Sequence, residues 1–263
     1  MLSINNLDIT FTDGVEVKHA IKHLDLEIKD HEFITIIGAN GSGKSTLLNC
    51  IAGSINSDSG SINLDGIELT KLKNHKRAKY LGRVFQDPLV GTIGDMLVME
   101  NLFLASQRGK RPTLGWGLSK KSAEKYKELL KPIGLGLEDR LNTKMKNLSG
   151  GQRQSITLLM ATMNNPHLLL LDEHTAALDP ETAKKVMELT ERVVKEKKIM
   201  TMMITHNMKD AIRYGDRLIM LDEGKIIYDI SGEEKQKLTV EDLVQKFNKK
   251  HVDIGSSTNI FNQ

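Results

Sequence analysis

The feature that most constrains the fold of this 263-residue chain is a glycine-rich loop between two apolar segments. Residues 33–37 read F-I-T-I-I, a run typical of a buried strand, and L-L-N-C-I-A after residue 46 has helical spacing. Between them, residues 38–45 read G-A-N-G-S-G-K-S and match G-x-x-x-x-G-K-[ST] at every fixed position. A strand, a glycine loop and a helix in this order predict a phosphate-binding loop.

The residue types in this loop predict a nucleoside triphosphate as its ligand. Glycines let backbone N–H groups turn toward phosphate oxygens, and the following helix adds partial positive charge at its N-terminus. Lys44 would reach the β- and γ-phosphates, and the hydroxyl of Ser45 would sit on Mg²⁺. The alternative is a glycine-rich turn with a surface lysine, which leaves the complete motif in its strand–helix context unexplained.

Composition limits the compartment and the classes of partner. The formal net charge is +3, with acids and bases interspersed, so there is no broad electrostatic case for nucleic-acid binding. Cys50 is the single cysteine, which leaves no internal disulfide or cysteine-cluster metal site and suits a reducing cytosol. Apolar runs fall short of bilayer-spanning length and no signal pattern opens the sequence, so we expect a soluble protein that meets a membrane only through a partner.

Polar side chains follow three further predicted strands. Residues 168–171 are four leucines, typical of a strand buried on both faces, and they lead into Asp172 and Glu173. Burying two adjacent acids is costly unless a cation or substrate uses them. I-M-T-M-M-I-T-H predicts a strand ending at His206, and Y-L-G-R-V-F-Q predicts one closing at Gln86. We expect these side chains to meet the phosphate loop at one edge of a sheet.

The other segments predict an antiparallel β portion and a helical portion. Residues 2–29 alternate in two runs around the turn-rich T-D-G-V-E-V-K-H, and residues 59–70 predict a hairpin turning at Asp65-Gly66. From residue 89 to 147 the apolar spacing is helical, starting with I-G-D-M-L-V-M-E-N-L-F-L-A. A basic, glycine-punctuated segment around Trp116 is either a solvated loop or a contact to a partner or to anionic lipid.

Two more helix starts and one aromatic residue are candidates for binding. In L-S-G-G-Q, Ser149 precedes Gly150, Gly151 and a long apolar-periodic helix, which is a second helix N-terminus suited to an anion. Asp179 opens another helix as its N-cap, before a first-turn proline. Phe11 could stack on a nucleotide base, although a phenylalanine at the end of a strand packs into a core more often.

Taken together, the motifs resemble those of the ATP-binding-cassette ATPases, in that family's order. They are G-A-N-G-S-G-K-S-T, V-F-Q-D-P, L-S-G-G-Q-R-Q, L-L-L-L-D-E, A-A-L-D-P and I-T-H-N, within about residues 2–235. The resemblance implies an α/β fold, a P-loop NTPase with a RecA-like core, an antiparallel β subdomain and a helical insertion. Within one ATPase domain it assigns 1–88 and 159–235 to the core and β subdomain, 89–158 to the helical subdomain, and 236–263 to a C-terminal helix and loose tail.

The resemblance also implies a role for each candidate residue, with ATP and Mg²⁺ as cofactors. Glu173 would be the general base, His206 the γ-phosphate switch and Gln86 a sensor of the metal. Mg²⁺ would be held by Ser45, Gln86 and Asp172. The nucleotide-binding set would be Phe11 on adenine, Asp179 at the dimer seam, the loop residues Gly38, Asn40, Gly41, Ser42, Gly43, Lys44, Ser45 and Thr46, and Ser149, Gly150, Gly151 and Gln152.

The partners implied by the resemblance include a second copy of the chain. In this family two copies close head to tail, so that each ATP lies between the phosphate loop of one copy and L-S-G-G-Q of the other. The ATPase would power import of a small solute through a separate integral-membrane permease, with an extracytoplasmic substrate-binding protein in the same system. It would be cytoplasmic and peripheral on the inner face of the cell membrane. Long stretches look like ATPases encoded with permeases of the branched-chain or aromatic (tryptophan-type) amino-acid class.

Two other classes of protein compete with this interpretation. A cytosolic ATP-driven clamp, such as an iron–sulfur assembly ATPase, carries the same motifs and is left open by them. A P-loop kinase or GTPase would leave L-S-G-G-Q without use, and the sequence has no guanine-reading N-K-x-D. Two positions depart from the family pattern: Phe11 stands where Tyr is more common and keeps a stacking face, and His174 stands where many members have proline, a change expected to be neutral.

Overall fold

The computed structural model describes residues 1–14, 16–110 and 119–253, which form two β-sheets with helices packed around them. The strands are β1 Leu2–Asp13, β2 Glu16–Ile28, β3 Phe33–Ile37, β4 Ser59–Leu64, β5 Ile67–Glu68, β6 Leu81–Val84, β7 Leu168–Asp172, β8 Met200–Ile204, β9 Arg217–Asp222 and β10 Lys225–Ser231. The α-helices are α1 Lys44–Ala52, α2 Asn74–Arg77, α3 Val98–Ser106, α4 Lys120–Leu130, α5 Gly150–Thr162, α6 Pro180–Lys197, α7 Met208–Arg213, α8 Gly232–Gln236 and α9 Val240–Asp253. The segment around Trp116 and most of the tail predicted to be loose lie outside the described residues. Within the described residues, no helix combines the length and apolar character needed to cross a membrane.

The larger sheet is the parallel sheet that the apolar runs predict. Its strand order is β10-β9-β3-β8-β7-β6, with β10 antiparallel to β9 and every other pair parallel. All residues of β3 and β8 are buried, and so are the four leucines of β7. This arrangement confirms the α/β prediction. Because parallel strands share one direction, the residues that follow β3, β8, β7 and β6 emerge at the same edge.

The smaller sheet is antiparallel, in the order β2-β1-β4-β5. The predicted hairpin at Asp65-Gly66 is confirmed, with φ of +51° and +81° at its two central residues. The T-D-G-V-E-V-K-H segment, expected to be a connection, is mostly strand, because Gly14 adopts a φ of +58° and allows a tight turn. Phe11 consequently lies inside β1, opposite Lys18, and is 43% exposed rather than packed in the core.

The helical portion has a hydrophobic core of its own, made by α3, α4 and one face of α5. The first predicted helix begins later than its apolar spacing suggests, at Val98. The reason is the buried Asn101, whose amide nitrogen donates to the carbonyls of Ile93 (3.1 Å) and Leu97 (3.0 Å). Its amide oxygen accepts from the Ile93 N–H at 2.8 Å, so one side chain replaces the backbone bonds of a helical turn here.

A buried histidine follows Asp172 and Glu173 after β7. His174 is 2% exposed, and its Nε2 lies 3.1 Å from the hydroxyl oxygen of Thr190 in α6. Burial lowers the pKa of His174 to about 4 from an ordinary value of 6.5. The side chain is therefore neutral in the folded protein and contributes to the packing between β7 and α6.

We predict that His174 makes the stability of the fold sensitive to mild acid. Between pH 6.5 and about 4 the unfolded histidine binds a proton that the folded one does not, so the free energy of unfolding falls as pH falls. The full shift corresponds to about 3 kcal/mol. Urea denaturation across this window should show a shallower pH dependence in His174→Gln than in wild type. The exposed His75→Gln is the control and should keep the wild-type slope. Equal slopes for wild type and His174→Gln would contradict the prediction.

Candidate functional site

The phosphate loop joins β3 to α1 and is pressed between the two sheets. A Cβ atom on Gly43, where φ is +104°, would lie 2.5 Å from the carbonyl oxygen of Ala20 in β2. A Cβ atom on Gly38 would lie 2.2 Å from the carbonyl oxygen of Leu221 in β9. Both positions therefore require glycine because the backbone of a neighbouring strand occupies the space of a side chain.

The interior of the loop carries the polar groups expected of an anion cradle. Nζ of Lys44 donates to the carbonyl oxygens of Gly38 (2.7 Å) and Ala39 (2.9 Å), and the side chain is almost fully buried. Burial lowers the pKa of Lys44, whereas the charges of Glu173 and Asp172 raise it, which places both acids in its electrostatic reach. The buried ammonium group of Lys44 fits a bound phosphate, whose negative charge would pair with it.

The exposure of the remaining loop residues matches an open binding surface. Among the described residues, the Ser42 hydroxyl oxygen is buried without a hydrogen-bond partner, while its backbone carbonyl accepts from the Gly224 N–H at 3.0 Å. Of the predicted loop residues not yet described, Asn40, Gly41 and Ser45 are exposed. Thr46 is half-buried. The orphaned hydroxyl and the first turn of α1 supply unused polar groups for a ligand.

Strand register places the predicted acids and histidine next to the loop. Ile204 in β8 is the register partner of both Ile36 in β3 and Asp172 in β7. The N–H of Glu173 donates to the carbonyl of Ile204 at 3.0 Å, which continues the ladder past the strand end. His206 follows two residues after β8, so it emerges between the phosphate loop and the acids.

Gln86 reaches the same edge, although the strand before it is shorter than predicted. β6 ends at Val84, and the chain then turns, with the N–H of Leu89 donating to the Asp87 carboxylate at 2.8 Å. The strand thus stops two residues before Gln86, and the Asx-type turn follows directly after Gln86. Gln86 is exposed at the outer end of the strand-end row.

Glu173 and His206 form a direct pair. Oε2 of Glu173 lies 3.3 Å from Nδ1 of His206, and the two side chains are 21% and 62% exposed. Glu173 has a φ of +44°, a left-handed conformation that non-glycine residues seldom adopt. Strain of this kind persists where the surrounding structure enforces it and is concentrated at functional sites. This backbone conformation holds a partly buried carboxylate beside an accessible imidazole.

Asp172 lies deeper and pairs with an arginine that the sequence analysis did not single out. Nη2 of Arg83 is 3.5 Å from Oδ2 of Asp172, and both side chains are largely buried. Burial raises the pKa of Asp172, and Arg83 opposes that shift. An arginine inside a strand gives no sequence signal for this role, because its partner is set by the pairing of β6 with β7.

The oxygen groups at this edge fit Mg²⁺. The described residues hold no cluster of three or more His, Cys, Asp or Glu side chains able to bind a metal by themselves. Magnesium needs no such cluster, because it binds through one or two protein oxygens, substrate phosphates and water. A carboxylate from Asp172 and a hydroxyl from Ser45 match that requirement.

The L-S-G-G-Q residues gather around the start of α6. Ser149 and Gln152 form a capping box on α5, with each backbone N–H donating to the other's side chain at 3.2 Å. A Cβ atom on Gly151 would lie 2.1 Å from the Thr182 methyl carbon. Asp179 caps α6 as predicted, accepting from the Thr182 N–H at 3.0 Å, which lowers its pKa. The second helix N-terminus and Asp179 therefore share one surface.

Similarity to known proteins agrees with this geometry. The ABC transporter family matches residues 21–176. A tyrosine transport ATP-binding protein from Clostridioides difficile (strain R20291) is 48% identical over 248 residues, covering 94% of this chain and 98% of the relative. A putative hemin import ATP-binding protein from Staphylococcus aureus (strain MRSA252) is 35% identical over 230 residues, covering 86% of this chain and 98% of the relative.

Solved structures of ATP-binding cassettes have the same fold. A dimeric cassette in a post-hydrolysis state bound to ADP and Pi is 31% identical with a TM-score of 0.76, over 88% of this chain and 98% of that one. The ADP conformation of an ABC transporter cassette is 25% identical with a TM-score of 0.77, over 97% of this chain and 99% of that one. This chain belongs to the ABC transporter family, as an ATP-binding subunit that hydrolyses ATP.

Proposed function

We propose that this subunit binds MgATP and powers import of a small solute, an amino acid of the aromatic type, through a separate integral-membrane permease. The observation that carries the proposal is the meeting of Lys44, Asp172, Glu173 and His206 at one edge of the parallel sheet. The relative that is 48% identical over nearly its whole length is named for tyrosine transport, which supports the substrate class. Both relatives described above are named for transport, which favours transport over iron–sulfur assembly.

In the proposed mechanism Glu173 accepts the proton of the attacking water. A partly buried carboxylate in a fixed backbone conformation suits a general base, and His206 orients it and senses the γ-phosphate. Lys44 exchanges its two carbonyl contacts for phosphate oxygens. Mg²⁺, held by Ser45, Gln86 and Asp172, would neutralise developing charge on the phosphates.

Nucleotide recognition would begin on the antiparallel sheet. The ring of Phe11 is 43% exposed, so it offers a face for adenine and is not part of the core. The triphosphate would then lie along the loop residues Gly38, Asn40, Gly41, Ser42, Gly43, Lys44, Ser45 and Thr46.

The surface formed by α5 and α6 would complete the site of a second copy. Ser149, Gly150, Gly151 and Gln152 would contact the γ-phosphate bound by the partner, and Asp179 would lie at the seam between copies. Two observations support this: a dimeric arrangement in a similar cassette, and the grouping of these residues on one surface. In a head-to-tail dimer, the N-termini of α1 from one copy and of α5 from the other would both face the bound triphosphate.

A partner in the membrane is supported by exposed apolar side chains directly after Gln86. Leu89, Val90 and Ile93 are 45%, 64% and 49% exposed, and Leu104 of α3 is also exposed. Apolar side chains grouped on a surface typically mark a protein interface. We assign this surface to the permease, which would hold the subunit at the cytoplasmic face of the membrane. An extracytoplasmic substrate-binding protein would complete the system.

The division of the chain follows from these roles. Residues 1–88 and 159–235 would form the nucleotide-binding core with its β subdomain, and 89–158 the helical subdomain that carries L-S-G-G-Q. Residues 236–263 would form a C-terminal helix and tail. The separate hydrophobic core of the helical portion supports this division.

The first prediction of the proposal concerns Glu173. Glu173→Gln keeps the shape of the side chain but cannot accept a proton, so ATP hydrolysis should fall at least about a hundredfold. ATP affinity should stay within about twofold, because loss of general-base catalysis leaves ground-state binding intact. Phosphate release and calorimetric ATP binding measure the two effects. Glu196→Gln removes an exposed acid near the other end of α6, away from Asp179, and should hydrolyse ATP normally. Wild-type turnover by Glu173→Gln would exclude it as the base.

The second prediction separates a self-contained ATPase from one completed by a second copy. A Cβ atom on Gly150 would lie 3.1 Å from the tip of the flexible Leu178 side chain, so a larger residue fits with a small adjustment. Gly150→Asp would place a carboxylate against the partner's γ-phosphate, where like charges repel strongly in a dry seam. ATP binding per chain should survive, whereas ATP-dependent dimers in light scattering and turnover should be lost.

Gly150→Asn is the matched control, because its side chain has the shape of aspartate without the charge. It should keep most of the ATP-dependent dimerisation and most of the turnover. Mixing Gly150→Asp with Lys44→Ala should restore at most one competent site per dimer. Wild-type turnover strictly first order in protein, from a species that stays monomeric with MgATP, would contradict the two-copy mechanism.

The third prediction concerns the transported solute. Proteoliposomes that contain the permease co-purified with this chain should accumulate labelled tyrosine or tryptophan only with ATP, the binding protein and wild-type subunit. Glu173→Gln subunit should abolish accumulation without releasing the permease. Uptake of hemin or of aliphatic amino acids instead would overturn the substrate class. Co-purification with a soluble scaffold protein and no permease would overturn transport itself.

A further inference from the structure

Arg83 connects three parts of the site with one guanidinium group. Its Nη2 donates to the amide oxygen of Asn49 in α1 at 2.7 Å and lies 3.5 Å from Oδ2 of Asp172. Its Cζ stacks 4.4 Å from the ring centre of Phe85, the residue before Gln86. The side chain therefore ties the phosphate-loop helix, the deeper acid and the start of the Gln86 segment together.

The ion pair between Arg83 and Asp172 is largely buried. Both side chains are less than one-fifth exposed, at 16% and 18%. Within the part of the chain that the structure describes, Arg83 is the one cation within ion-pair distance of Asp172, and its Nε is buried without a partner. Arginine stays protonated under all physiological conditions, so a full positive charge faces this carboxylate.

A divalent metal would have to bind the same carboxylate beside that charge. Repulsion between a guanidinium and a divalent ion a few ångströms apart is strong where little water screens it. Arg83 also orders the Asp172 side chain, which would favour metal binding. This contribution to metal affinity is small, because an aspartate side chain has few rotamers to lose. The charge effect dominates, and so Arg83 opposes binding of a metal that arrives alone.

A triphosphate changes the balance, because it brings several negative charges into the loop next to Lys44. The metal can then bind phosphate oxygens as well as Asp172, and attraction to the phosphates exceeds repulsion from Arg83. We propose that Arg83 is the resident counter-ion of Asp172 and keeps divalent metal out of the site until the triphosphate is bound. It is a positioning residue, and the inference rests on the metal-holding role proposed for Asp172.

The test measures Mn²⁺ binding to nucleotide-free protein by electron paramagnetic resonance of the free ion. Arg83→Met keeps an apolar stem against Phe85 and removes the charge, and it should bind Mn²⁺ at least about tenfold more tightly than wild type, or about 1.4 kcal/mol. Arg83→Lys keeps the charge and should stay within about twofold of wild type, since the repulsion persists. Lys79→Met removes an equal charge from the exposed residue four positions earlier and should also match wild type.

The tighter Mn²⁺ binding of Arg83→Met must depend on Asp172. Adding Asp172→Asn to Arg83→Met should return Mn²⁺ affinity to the wild-type level, because the carboxylate that Arg83 guards is gone. Circular dichroism and thermal unfolding establish that each variant is folded. Where Arg83→Met does not fold, Arg83→Gln, which keeps a donor for Asn49, takes its place with the same expected results. A folded Arg83→Met or Arg83→Gln with wild-type Mn²⁺ affinity, or a gain that survives Asp172→Asn, overturns the inference.

One further measurement separates this inference from the proposed function. Asp172→Asn alone should reduce the increase in ATP affinity that Mg²⁺ produces, measured by calorimetry with and without the metal. No such reduction would remove Asp172 from the metal site and with it the proposed chemistry. A clear reduction, together with an Arg83→Met protein that binds Mn²⁺ like wild type, would overturn only the role of Arg83.

Discussion

The site depends on how closely two backbone carbonyls approach the phosphate loop. The oxygens of Ala20 and Leu221 come so near to Gly43 and Gly38 that no side chain fits at either position. The loop is thus fixed from one side by the antiparallel sheet and from the other by the parallel sheet. Because β3 leads directly into it, the same contact sets where Lys44 and α1 begin. Strand register then places Asp172, Glu173 and His206 relative to that point.

The charges at this edge are arranged so that none is isolated. Arg83 pairs with Asp172, Lys44 is within electrostatic reach of both acids, and His206 contacts Glu173. Burial raises the pKa of Asp172, and the charges of Arg83 and Lys44 oppose that shift. These neighbouring cations reduce the cost of keeping two partly buried acids charged in the folded protein.

Sequence reasoning worked best where local pattern and burial coincide. β3 and the leucine run of β7 were predictable because strands buried on both faces read as continuous apolar runs. The late start of α3 was not predictable, since it depends on Asn101 bonding to a loop eight residues away. The pairing of Arg83 with Asp172 and of His174 with Thr190 was not predictable for a related reason, because these partners lie on other elements and are defined only by tertiary packing.

The helix that begins at L-S-G-G-Q is mechanically connected to the Gln86 segment. α5 packs Ile156 and Met160 into the helical core, and Leu158 and Ala161 into the core beside the parallel sheet. Gln154, fully buried on the same helix, places its amide nitrogen 3.4 Å from the Phe85 carbonyl oxygen.

Because packed interiors resist deformation, α5 cannot shift without moving either this contact or one of its two cores. The ring of Phe85 also stacks on Arg83, so the same segment reaches the pair formed with Asp172. The segment at Phe85 therefore contacts both the helix that carries L-S-G-G-Q and the Arg83–Asp172 pair. A displacement of this segment would disturb both places at once, as the proposed coupling between the nucleotide site and the permease requires.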